Sequence, residues 1–118
     1  MTKKRPLLPN LVTKETTEIE SFQNLVIRPI IKMQHGFLLA IFNNYVQKKK
    51  IDMLSISKEN RNEKISSILQ KDQLLKKMIL GSIIGNFSQN ELFVYFSNEN
   101  DFNKRIIGIT TKRLQDSL

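Results

Sequence analysis

A chain of 118 residues that is 40% apolar, with seven Phe and no Trp, has enough apolar surface for one modest core, which excludes both a disordered chain and a two-domain protein. The absence of cysteine excludes a disulfide framework and thiolate metal ligation, and it fits a reducing compartment. A formal net charge of +8 leaves nucleic acid open as a partner, so where the charge lies matters.

In chain order, residues 1–15 carry Pro6, Pro9 and the cations Lys3, Lys4 and Arg5, and they read as a flexible N-terminal arm ahead of a single helical domain over 16–118. No apolar run of signal-peptide length follows the basic start, and the longest apolar-rich run, Met78 to Gly85, is far short of a bilayer span of about 20 residues. A soluble cytoplasmic protein with no membrane partner is therefore expected. Thr16 or Thr17 is a suitable N-cap, with Glu18 and Glu20 favourably placed in the first turn.

The stretch from Phe22 to Lys50 then dominates the chain. Phe22, Val26, Pro29, Ile30, Met33, Phe37, Ile41 and Tyr45 recur at helical spacing and predict one stripe along a long helix. Ile27, Ile31, Leu38 and Phe42 fall outside that stripe, so the helix is apolar on more than one face and has to be covered from two sides. From about Glu18 to Lys49 it would measure on the order of 45 Å, more than the ~30 Å of a small domain. Pro29 removes a backbone donor and crowds the carbonyl of Leu25, so the expected kink lies there, with the helix continuing because the apolar spacing carries through it.

Ser57 is a good cap for a second helix bearing Ile65, Ile68 and Leu69, and Asp72 for a third. Leu74, Leu75, Met78, Ile79, Leu80, Ile83 and Ile84 make that third helix apolar nearly all round, so it should be the most buried. Gly81 and Gly85 mark close helix packing, with Gly85 also suited to a helix stop. Ser88 and Glu91 form a capping box for a fourth, short helix carrying Leu92, Phe93, Tyr95 and Phe96, and Asn100 or Asp101 opens the last one.

Few residues carry chemistry. Arg28, Lys32 and His35 are spaced by four and three, so on a continuous helix they share a face that would bind an anion or, with His35 as base, move a proton. The structural alternative pairs Arg28 with Glu91 or Asp101 and leaves His35 at a helix crossing. Lys48, Lys49 and Lys50 offer phosphate contacts, or simply complement a helix C-terminus. No nucleophile and base pair, phosphate loop or metal-ligand spacing is present, so no catalytic, cofactor or metal residue is assigned.

Phe22-Gln23-Asn24, Arg28-Pro29-Ile30, Gln34-His35, Gln70-Lys71-Asp72, Gly81-Ser82-Ile83-Ile84-Gly85, Glu91-Leu92, Asn103-Lys104-Arg105 and Arg113-Leu114, over residues 20–116, resemble a family of short uncharacterised all-helical bacterial proteins. Some of these are automatically labelled "glyoxalase". A metal-dependent glyoxalase resembles paired strand-rich modules with His and Glu ligands, whereas this chain has one histidine and reads as helical, so no activity is carried over. The expectation is an all-α helical bundle of four or five helices around one long N-terminal helix kinked near Pro29. Its expected role is a non-enzymatic protein-interaction or dimerisation module, a homodimer through the long helix. The alternative is a basic helical nucleic-acid-binding regulator.

Overall fold

The computed structural model describes residues 14–118, and those residues are all-helical. The arm, with Lys3, Lys4 and Arg5, lies outside the described residues except for its last two positions, which already belong to the first helix. The elements are α1 (Lys14–Phe22), a π-helical stretch (Gln23–Ile27), α2 (Arg28–Met33), α3 (His35–Lys48), α4 (Lys58–Lys71), α5 (Gln73–Ile84), α6 (Gln89–Ser97) and α7 (Glu99–Ser117). Thr16 and Thr17 sit inside α1 rather than capping it.

The expected single long helix kinked at Pro29 is instead two helical segments that meet at Gln34. Through Pro29 the backbone stays helical, because the turn before it is widened: the Arg28 N–H bonds back to the Gln23 carbonyl, a five-residue step. Widening the turn relieves the clash that proline would force on the carbonyl four residues back. The sharp turn falls instead at Gln34, whose φ of −92° and ψ of 14° interrupt the helix, and Glu18–Met33 and His35–Lys48 meet at 61°. That turn carries both halves around one core, with Ile31 before it and Leu38 after it fully buried. It also raises the count among the described residues to six helical rods, where the sequence implied four or five.

The π-helical stretch moves the apolar stripe as well. An extra residue in one turn rotates everything downstream by roughly 100°. The buried positions are consequently Phe22, Ile27, Ile31, Leu38, Phe42 and Val46. Of the stripe expected from spacing, Val26, Ile30, Ile41 and Tyr45 are only half-buried, and Pro29, Met33 and Phe37 are exposed.

Helix ends follow local chemistry closely. Ser57 accepts the Asn60 N–H at 3.1 Å, and Asp72 accepts the Leu75 N–H at 2.9 Å, so α4 and α5 are separate helices. Ser88 and Glu91 close the capping box with bonds of 3.1 and 2.8 Å. α3 ends in a Schellman turn: the Lys50 N–H bonds the Gln47 carbonyl at 3.1 Å and the Ile51 N–H bonds that of Val46 at 2.9 Å. Lys50 occupies the left-handed position of that turn, at φ 57°. Gly85 caps α5, and a Cβ there would approach the Gly81 carbonyl to 2.9 Å.

The hub of the packing is α7, which touches the π-helical stretch, α2, α3, α4, α5 and α6. Its buried residues Phe102, Ile106, Thr110 and Leu114 recur every four positions and meet Ile65 and Leu69 of α4 and Ile79 and Ile83 of α5 in one core. At one end Phe22, Phe87, Tyr95 and Phe102 form an aromatic cluster with ring centroids 4.8 to 6.4 Å apart. At the other, Arg61 donates to the Leu118 and Ile56 carbonyls at 2.5 and 3.2 Å, and Gln115 donates to the Asn62 carbonyl at 2.9 Å, joining α4 to α7. The expectation that the third predicted helix, α5, is the most buried is overturned, since Leu74 and Met78 are 73% and 45% exposed. Its opposite face uses up the available core with Leu75, Ile79 and Ile83.

Candidate functional site

Two surfaces stand out, one basic and one apolar. The basic surface is a groove of about 440 Å³ between α2 and α7, lined by Arg28, Gly108, Ile109, Lys112, Arg113, Asp116 and Ser117. α2 supplies Arg28, whose Nε donates to the Asn24 side chain at 3.1 Å rather than to Glu91 or Asp101. Glu91 is held in its capping box, and Asp101 pairs with Arg105 at 3.0 Å. α7 supplies Lys112, paired with Asp116 at 3.3 Å, and Arg113, whose Nη1 lies 3.3 Å from His35 Nδ1. Arginine only donates, so that imidazole nitrogen accepts. Neither Arg28 nor Arg113 has a carboxylate partner among the described residues. At Gly108 a Cβ would meet nothing within 4 Å, so the groove floor is open. The arrangement can hold an oxyanion between two guanidinium groups.

The expected trio is thus partly assembled. Arg28 lies in the groove and His35 beside its Arg113, but the turn at Gln34 separates His35 from the face shared by Arg28 and Lys32, and Lys32 is not among the lining residues. Arg113 and Lys112 were missed as partners of this cluster because they stand some eighty positions away, and no local pattern links the two segments. Lys48, Lys49 and Lys50 are exposed at the end of α3; the Lys49 ammonium lies 5.7 Å from the Tyr45 ring centroid, and Lys50 forms the turn.

The apolar surface lies on α3 and α5, which run antiparallel. At one end Gln34 Nε2 reaches the Ser82 carbonyl at 3.5 Å; at the other the Tyr45 hydroxyl faces the Asp72 carboxylate. With those ends matched, Phe37 stands level with Met78 and Gly81, and Ile41 level with Leu74 and Met78. Phe37, Met78 and Leu74 are exposed, and so is Met33 just before the turn, at 64%. Among the described residues Gly81 does not pack closely against another helix, since a Cβ there would meet nothing within 4 Å. The Leu75 amide, and then the Tyr45 hydroxyl, hold the Asp72 carboxyl below its ordinary value, while partial burial, with Asp72 nearby, raises that of Tyr45. A second set of exposed apolar side chains, Phe93, Val94 and Phe96, lies on α6.

Among the described residues these features define an all-helical fold with exposed apolar side chains on α3 and α5 and a separate cationic groove. No family model, no curated protein and no solved structure matches the chain. No single helix among the described residues is long and apolar enough to cross a membrane.

Proposed function

We propose that this chain is a non-enzymatic protein-interaction module whose docking surface is the outer face of α3 and α5. The observation that carries the reading is the uncovered half of the first helical region. Sequence spacing demanded cover on two sides, and among the described residues the core covers only the side of Ile27, Ile31, Leu38 and Phe42. Met33 and Phe37 are left exposed beside the equally exposed Leu74 and Met78 of α5. Adjacent exposed apolar side chains on two neighbouring helices are the usual mark of an interaction site. The homodimer expected from helix length rests on a weaker premise, because the 61° turn at Gln34 folds both halves onto one core.

A photo-crosslinking residue placed at Phe37, with a control at the exposed Lys64 on α4, tests the reading in the cells that make the protein. A discrete adduct at Phe37 and none at Lys64 is expected, and an adduct of twice the chain mass would identify a second copy. Equal or absent adducts at both positions would overturn it.

Nucleic-acid binding is the second reading, favoured by Arg28, Lys112 and Arg113 in one groove. Phosphate contacts release counterions, so retention on DNA or RNA should fall steeply with salt. Absence of retention at low salt removes this reading.

A further inference from the structure

We infer that the occupant of the α3 and α5 face is an acidic amphipathic helix of another protein. This rests on the interaction reading and adds the chemistry of the partner. α3 and α5 meet at Gln34 with Ser82 and at Tyr45 with Asp72, and they carry the exposed Phe37, Leu74 and Met78 and the half-buried Ile41, with space for a neighbour at Gly81. A helix fits such a face by laying residues at i, i+3, i+4 and i+7 along it.

The charged residues within α3 and α5 have one sign: Lys48, Lys76 and Lys77 and not one Asp or Glu, with Lys32 just before the turn into α3. Lys32, Lys48 and Lys77 are exposed and belong to the same helices as the apolar residues. Asp72, at the N-cap of α5, accepts the Leu75 amide and faces the Tyr45 hydroxyl. A second copy docked face to face would set lysine against lysine with only the already bonded Asp72 to answer, whereas a helix with Asp and Glu beside its apolar stripe meets these cations with opposite charge. An acidic partner is also drawn to a chain of net charge +8 before contact is made.

The test is a displayed library of 20-residue amphipathic helices with the apolar stripe fixed and the flanking positions varied among Glu, Gln and Lys. It is selected on the full chain and counter-selected on the Phe37→Ser/Met78→Ser variant, whose retained fold is checked by circular dichroism. Recovered helices should carry Glu at the flanks, bind about tenfold or more tighter than their Lys counterparts, and invert that preference on a Lys32→Glu/Lys77→Glu variant. Enrichment of apolar helices with neutral or basic flanks would overturn the acidic partner and leave the interaction face standing. Failure to enrich any helix over the double-serine variant would overturn both. Self-association abolished by Phe37→Ser, or preferential binding of anionic lipid vesicles to the same face, would replace the acidic helix by those occupants.

Discussion

Lys50 is the residue whose replacement reads the backbone most directly. It holds φ 57° at the end of α3, where its N–H and that of Ile51 close the Schellman turn on Gln47 and Val46. An L-residue in that conformation costs roughly 1–2 kcal/mol, because its Cβ crowds the following carbonyl oxygen. Glycine has no such penalty but has more freedom to lose from the unfolded chain, an opposing effect of about 0.4–1 kcal/mol. Lys50→Gly should therefore stabilise the protein by about 0.5–1 kcal/mol, a rise in Tm of roughly 2–6 °C for a domain of this size. Lys50→Ala removes the same charge and keeps the Cβ, so the difference between the two variants isolates the backbone effect. Urea denaturation with matched m-values measures it. If the glycine variant is no more stable than the alanine variant, Lys50 is not strained and the Schellman turn is not the end of α3.

Three further outcomes follow from burial and charge. The Thr110 hydroxyl is fully buried without a partner among the described residues, so Thr110→Val should gain about 1 kcal/mol in denaturant unfolding, and a loss would show that the hydroxyl is hydrogen-bonded. Phe42→Ala, at a fully buried site, should cost about 3–5 kcal/mol, whereas Phe37→Ala, 45% exposed on the same helix, should cost about 1 kcal/mol or less; similar losses would refute the assignment of core and docking faces. The Asp72 carboxyl is held below its ordinary value, so its stabilising effect is complete above the unfolded pKa of about 4 and disappears as pH falls through the lower folded value. Asp72→Asn keeps a capping oxygen and cannot titrate, so its stability gap to the native chain, clear at pH 6, should close near pH 2; a pH-independent gap would refute the linkage.

What could be read from the sequence was local chemistry. The caps at Ser57, Asp72 and Ser88 each need only a hydroxyl or carboxylate within three residues of a free amide, and all three are found. The site of the sharp turn was not legible, because the cost of Pro29 depends on whether the preceding turn can widen, and nothing in Gln23–Ile27 announces a π-helix. Burial of α5 was misjudged for another reason: Leu74 and Leu75 are equal in hydropathy, and only the position of α7 decides which of them faces the core. The Arg113 and His35 contact spans most of the chain, so residue spacing could supply Arg28, Lys32 and His35 but not the arginine that meets the histidine.

The widened turn at Gln23–Ile27 also sets the evolutionary freedom of this chain. A π-helical turn is an α-helical turn with one residue inserted. Deleting a single residue there would restore ordinary helix and rotate α2 by roughly 100° relative to α1. That rotation would carry Ile31 away from the core and, because α3 leaves this axis at 61°, would swing the whole of α3 to a new position instead of turning it in place. One codon in the widened turn therefore governs where the second half of this helical region can pack.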